Sequence, residues 1–267
     1  MANTESKLIK AMKKIFNYLD TGANSNQIQK LNRKFLTIFD KITSKNFTNN
    51  SKGNIVNFFL LCLKIIKNET HSTKLPFDGL LYTQIDSIDS ENNFHDFATD
   101  PFVVVPIALS TFSDLEESLR DFTKKNFMAK EAGNPWKTSN GEEIDVTVIL
   151  LLQDMPLFLL FQLQRFDFVD YKNVKISNNF LCPDSIDMSP FMISATPCKY
   201  KLAGMLCQQG NADGGHYLTY IRNEDGESFV QLDSAYGAIV TTISKEDFMR
   251  HDDCTKNSCL VLYARIK

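Results

Sequence analysis

Between residues 8 and 66 apolar positions recur at the spacing of one helix face, and beyond Pro76 that rhythm stops. Leu8, Met12, Ile15, Phe16 and Leu19 form one stripe, which predicts a helix with a core-facing side. The polar run Asp20 to Asn26 predicts a turn, and Ile28, Leu31, Phe35, Ile38 and Phe39 form a second stripe. A polar run from Thr43 to Asn54 precedes a third segment, Ile55 to Ile66. That segment is apolar on most sides, so it is expected to be buried among other elements.

After Pro76 the pattern is one of strands and loops. Phe102 to Leu109 predicts a strand broken at Pro106. Ser113 and Glu116 have the spacing of a capping box, and Leu115, Leu119 and Phe122 then predict a short helix. Lys130 to Asn140 predicts a loop around the single tryptophan, Trp136. Val146 to Leu152 and Leu157 to Phe168 predict two strands joined around Asp154, Met155 and Pro156. A meander is expected to follow: Tyr200–Gln208, His216–Arg222, Ser228–Leu232, Ala238–Thr242 and Cys259–Arg265. Turn residues at 210–215 and 223–226 divide its first three strands. Helices first and an antiparallel sheet afterwards predict an α+β domain, helical over 1–75 and strand-rich over 76–267.

Composition narrows the function. With 43% hydrophobic and 23% charged residues the chain can build an ordinary core. A net charge of -3 argues against nucleic acid as the partner. No window approaches the ~18 apolar residues of a membrane span, so no membrane association is expected. The polar start Met1 to Glu5 leads into an amphipathic segment and does not resemble a secretory leader. The six cysteines form no C-x-x-C pair, which argues against a disulfide framework or structural zinc. Reduced thiols in the cytoplasm or nucleus are the expectation, with no cofactor.

Four histidines are available. His71 and His95 fall in polar stretches and are expected to be solvated. His251, with Asp252, Asp253 and Cys254, offers possible ligand atoms, but no further partner follows at a diagnostic spacing, so no metal is expected. His216 differs, because it follows Gly214 and Gly215 and opens a strand. Asp233 comes after the next turn, where a hairpin would return it beside His216. A carboxylate so placed orients an imidazole and favours its charged form, which is the base-and-orienter half of a nucleophilic triad. A structural His–Asp bond with no chemistry fits the same spacing.

Longer strings point to a family. Residues 200–222 resemble the histidine box of the ubiquitin-specific proteases, roughly Y-x-L-x-x-V-x-x-H-S-G-x-x-x-x-G-H-Y-x-x-Y. Phe229 to Ser234 resembles the W-Y-x-F-[DN]-D segment that follows it, and Tyr263 matches the closing L-x-Y strand. Met155 to Phe166 is similar to L-P-x-x-L-x-x-x-L-x-R-F, Leu181 to Met188 to F-P-x-x-L-D-M, and Phe77-Asp78-Gly79 to F-x-G. The resemblance implies a papain-like fold with a truncated helical thumb, an antiparallel palm sheet and zinc-free fingers. It implies His216 as general base and Asp233 as orienting acid. Tyr217, Gly214, Gly215 and Ser234 would meet the ubiquitin tail, and ubiquitin or a ubiquitinated protein would be the partner.

The sequence also departs from the family pattern. It has no G-N-T-C-Y box carrying the nucleophile, and the closest string, Gly22-Ala23-Asn24-Ser25, fits a turn. Asn49 to Lys64 stands where the family has Q-Q-D-x-x-E, without its acids. Gln208 and Gln209 replace the usual H-S, and Ser234 replaces the second acid. Cys62 is expected in a helix core, Cys182 and Cys207 in structural strands, and Cys254 in a polar loop. None is placed to serve as the thiolate. The expectation is a deubiquitinase-like domain that is inactive as written. Either its cysteine lies outside these 267 residues or the fold is a pseudoenzyme kept for ubiquitin binding or scaffolding.

Overall fold

The computed structural model describes residues 2–20, 25–44, 55–89, 94–109, 111–194, 196–212, 214–233 and 239–266. The chain forms two compact units, Met1–Leu75 with Asp233–Val240, and Pro76–Leu232 with Thr241–Lys267.

The first unit holds three helices, α1 (Ala2–Asp20), α2 (Ser25–Thr43) and α3 (Ile55–Thr70). Their apolar stripes meet in a core of Leu8, Ala11, Phe35, Phe39, Cys62 and Ile65. Phe39 is its centre, with the Phe58 ring 4.7 Å and the Phe35 ring 5.8 Å away. Phe16, expected on the stripe of α1, is 56% exposed. Leu8, Ala11 and Ile15 already span the buried arc, and Phe16 lies a further step round the helix. α3 buries Val56, Cys62, Leu63 and Ile65, while Leu60 stays on the surface.

The second unit begins with β1 (Gly79–Ser87) and β2 (His95–Phe102), an antiparallel pair. Next comes β3 (Val104–Ala108), so the break expected at Pro106 falls at Val103 instead. Pro106 sits inside β3, the last strand of its sheet, where a missing N–H is tolerated. Helix α4 (Leu115–Phe122) is capped by Asp114, whose side chain accepts from Glu117 N at 2.8 Å. The cap is therefore one residue later than the Ser113–Glu116 spacing predicts.

Three short strands follow, β4 (Asn126–Met128), β5 (Trp136–Lys137) and β6 (Glu143–Ile144). Trp136 is thus in a small hairpin rather than a plain loop, pairing with Ile144. β7 (Val146–Asp154) joins β1, β2 and β4 in a four-stranded sheet of order β2-β1-β7-β4. The expected strand Leu157–Phe168 is two strands, β8 (Phe158–Gln164) and β9 (Phe166–Val169), broken at Arg165. β9 turns through Asp170 and Tyr171, both at positive φ, into β10 (Lys172–Lys175). β11 (Ser185–Asp187) is a short strand on the flank of β12 (Lys199–Gly210).

The largest sheet completes the fold with β13 (Gly215–Arg222), β14 (Ser228–Asp233), β15 (Ile239–Ser244) and β16 (Ser258–Arg265). Between β15 and β16 lie α5 (Lys245–Arg250) and α6 (Asp252–Lys256). The sheet order is β15-β14-β13-β12-β16-β8-β3. All five expected C-terminal strands form, but β16 enters on the far side of β12, so the sheet is not a plain meander. Nor is it wholly antiparallel, because β3 runs parallel to β8. A parallel pair needs a long crossover, and residues 109–157 supply it. Tyr200, Leu202, Leu218, Tyr220, Phe229 and Tyr263 are among its fully buried core residues.

Candidate active site

His216 is the second residue of β13 and is half-buried. It is paired directly with Gln209 of β12, and Gln208 with Tyr217. Alternation along β13 buries Leu218 and Tyr220 and exposes Ile221 and Tyr217, the last to 38%. His216 therefore shares the face of Leu218 and Tyr220, and Tyr217 the opposite one. Burial raises the pKa of the Tyr217 hydroxyl.

Asp233 is the last residue of β14, the neighbour of β13, and is half-buried. The turn between these strands is closed by Asn223 N donating to Ser228 O, at 2.9 Å. Asp225 organises it, accepting from the backbone of Glu227 and Ser228 and from the Ser228 hydroxyl. Ser234 lies outside the described residues.

The two glycines before His216 differ. A Cβ on Gly215 would lie 1.9 Å from Gln209 O and 2.2 Å from Gln208 Nε2, whereas one on Gly214 would have nothing within 4 Å. Gly215 is thus required by the close approach of β12, and Gly214 is not required by packing. Gln208, in place of the family histidine, is buried, and its Nε2 donates to Asn211 O at 3.2 Å.

Several groups around this strand end were not visible as site residues. Lys175 Nζ donates to Gln208 O, to Gly210 O at 3.1 Å and to Asn257 Oδ1 at 2.8 Å. Burial, then the nearby Arg165 charge, holds its pKa below the ordinary lysine value. Asp253, buried on α6, accepts Gln209 Nε2 on both oxygens, at 3.1 and 3.0 Å, and Asn257 Nδ2 at 2.9 Å. Arg165, 1% exposed, donates to the carbonyls of Ser258, Ile176, Asn178 and Thr255 and to the Ser258 hydroxyl. Burial lowers its pKa. Its signal lay in the R-F of the Met155–Phe166 string; among the described residues its guanidinium serves carbonyls and a hydroxyl rather than a carboxylate.

Two other histidines have structural places. His95 opens β2, and its Nδ1 meets Asp86 Oδ1 at 2.6 Å, so it is not merely solvated. That contact holds the Asp86 carboxyl below the usual range. His251 caps α6, its Nδ1 accepting from Asp253 N at 3.3 Å. Among the described residues no group of three or more His, Cys, Asp or Glu could hold a metal.

All six cysteines are buried. Burial pushes the Cys62 thiol up to about 11 and those of Cys182 and Cys259 up to about 12. A hydrogen bond with Cys254, then burial, raises Cys207, and burial raises Cys198. Cys254 is on α6 and packed in the core rather than in a polar loop. Cys182 lies between β10 and β11 rather than in a strand, and is 4% exposed.

The family model described as "Ubiquitin carboxyl-terminal hydrolase" matches residues 1–263. The same architecture recurs in solved deubiquitinase domains. One is the SAGA DUB module of Ubp8, Sgf11, Sus1 and Sgf73 bound to monoubiquitin, with TM-score 0.79, 20% identity, and 97% of this chain and 59% of that one covered. Another is the module bound to ubiquitin aldehyde, with TM-score 0.73 and 19% identity over 87% of this chain and 53% of that one. This chain belongs to the ubiquitin carboxyl-terminal hydrolase family and has the ubiquitin-specific protease fold. Curated relatives include probable ubiquitin carboxyl-terminal hydrolase FAF of Drosophila melanogaster, 28% identical over 47% of this chain. Ubiquitin carboxyl-terminal hydrolase 9Y of Homo sapiens is 25% identical over 60% of it. The matches span 5% and 7% of those two relatives.

Proposed function

We propose that this chain is a ubiquitin-directed domain of the thiol hydrolase class that does not itself cleave ubiquitin conjugates. The observation that carries this reading is the burial of every cysteine, with thiol pKa values that burial raises to about 11 or 12 at Cys62, Cys182 and Cys259. A nucleophilic cysteine needs the opposite: exposure, a lowered pKa and a base within reach. His216 is the general base and Asp233 its orienting acid in this reading. Support comes from their places on neighbouring strands, joined by a turn with a fixed register. In this reading Tyr217, Gly214 and Gly215 meet the ubiquitin tail, and Ser234, assigned to it by the family resemblance, lies outside the described residues. Ubiquitin is the partner on the strength of the family and of neighbours solved with monoubiquitin and ubiquitin aldehyde.

Were a thiolate supplied, it would attack the carbonyl carbon of the terminal glycine of ubiquitin, forming a C–S bond. His216, protonated by the thiol, would pass that proton to the leaving amine and then draw one from the water that hydrolyses the thioester. Asp233 would hold the ring aligned throughout. Without that thiolate, the domain is a ubiquitin-binding or scaffold module. The domain acts in the cytoplasm or nucleus, consistent with no helix among the described residues being long and apolar enough to cross a membrane.

Purified chain is incubated with a ubiquitin fluorophore and with a thiol-directed ubiquitin probe. No turnover and no adduct are expected, and an adduct on any cysteine overturns the inactivity. Titration of labelled ubiquitin followed by NMR is expected to give weak, localised shifts; unchanged spectra at high concentration overturn the binding reading.

A further inference from the structure

The chain-wide charge of -3 hides an uneven division. Residues 1–75 carry 13 Lys and Arg against 4 Asp and Glu, a net +9, so residues 76–267, with 16 against 28, carry -12. Folding sorts the positive charges onto one side of each of the first two helices. On α1, Lys7, Lys10, Lys13 and Lys14 are exposed, while Leu8 and Ala11 are buried with Met12 and Ile15 packed beside them. On α2, Lys30, Arg33, Lys34 and Lys41 are all exposed at an i, i+3, i+4, i+11 spacing, and Phe35 and Phe39 take the other side. Glu5, Asp20 and Asp40 are the only acids in the two helices to set against these eight cations.

A solvated surface ordinarily mixes both signs, and like charges on helices that share one core repel one another. A polyanion relieves that repulsion. Two features favour a lipid surface over a nucleic acid. Seven of the eight cations are lysines, compact and flexible point charges suited to a diffuse negative surface, whereas phosphate and base-edge recognition favours the arginine fork. Phe16, 56% exposed, stands beside Lys13 on α1. An exposed phenyl ring among lysines suits the headgroup layer of a bilayer. Each Lys or Arg brought to an anionic leaflet raises partition about fivefold. At physiological salt the reach of a charge is about 8 Å, so acids farther than that from the lipid do not cancel the contact.

We infer that the outward sides of α1 and α2 form a docking surface for an anionic bilayer, with the lysines on the headgroups and Phe16 entering them. The contact is peripheral: the apolar sides of both helices stay in their own core, and nothing crosses the membrane. It stands apart from the ubiquitin reading and asks nothing of His216 or Asp233.

The test sediments the full chain with phosphatidylcholine vesicles, with and without phosphatidylserine. Binding is expected only with phosphatidylserine and is expected to fade as salt rises. Replacing Lys7, Lys10, Lys13 and Lys14 together by Gln should lower partition at least about tenfold. A control replaces Lys125, Lys130, Lys172 and Lys199, also exposed, by Gln, which changes the net charge equally and should leave binding near wild type. Phe16→Ser should weaken binding a few-fold. Circular dichroism checks each fold; should the α1 variant unfold, Lys30, Lys34 and Lys41 replaced by Gln carry the same test. No binding to phosphatidylserine vesicles, or equal losses in the α1 variant and the control, overturns the inference. Retention on duplex DNA without retention on vesicles overturns it in favour of a nucleic-acid surface. Where both are bound, Phe16→Ser decides: weakening of the vesicles alone supports the inference, and an equal effect on both overturns it.

Discussion

Arg165 and Ser258, 93 residues apart in sequence, share two hydrogen bonds: Arg165 Nε donates to the Ser258 carbonyl, and Nη2 donates to its hydroxyl at 3.1 Å. The end of β8 is thereby tied to the start of β16, and the same guanidinium holds Ile176, Asn178 and Thr255. A planar fork with five N–H donors suits this cluster of carbonyls, and an ammonium does not.

Arg165→Met is therefore expected to cost at least about 3 kcal/mol, because several buried carbonyls lose their donor at once. Arg165→Lys should recover only part of the loss. Urea unfolding at constant m-value measures both, and a midpoint equal to wild type would contradict the bonding described.

The two glycines before His216 make opposite predictions. Gly215→Ala places a methyl 1.9 Å from Gln209 O, which forces β12 and β13 apart at their ends. A loss of about 2–3 kcal/mol is expected from such overpacking. Gly214→Ala meets nothing within 4 Å and should leave the melting temperature near wild type.

At α4, Asp114→Ala removes the acceptor for Glu117 N and is expected to cost about 1 kcal/mol. Ser113→Ala should be close to neutral. Equal losses at the two positions would place the cap wrongly.

Alkali should unfold the protein through its thiols. Folded Cys62, Cys182 and Cys259 keep their protons up to about 11 or 12, above the ordinary 9.0 they regain on unfolding. A raised folded pKa contributes stability that is whole below pH 9.0 and is lost as pH climbs toward those values. Buried Tyr200 and Tyr263, also raised, act in the same sense from pH 10.0 upward. Urea midpoints should be level between about pH 7 and 8.5 and fall above it. In the same solutions Ellman's reagent should find few thiols until the chain unfolds.

Much of this arrangement was legible in the sequence, for physical reasons. The helices declare themselves because Leu8 and Phe35 sit on stripes that must be covered, and Cys62 in a segment apolar on most sides. β12, β13 and β14 are bounded by glycine and asparagine turns, so His216 and Asp233 could be assigned to neighbouring strands in advance. The β3–β8 pairing was not legible, since nothing local marks a partner more than fifty residues away. The Trp136 hairpin was missed because two residues carry no periodicity. Asp253 stood out only as a possible ligand atom beside His251, Cys254 was expected in a polar loop, and Lys175 carried no signal of its own. What makes them a buried network is the packing of α6 on β12, a tertiary event with no signature in the string.

β2 and β3 are each the outermost strand at one border of their sheets, and each contains a proline, Pro101 and Pro106. A foreign strand arriving at either border meets a residue that cannot donate. Those two borders are thus discouraged from recruiting another molecule, which opposes fibril growth there in a domain rich in exposed aromatic side chains.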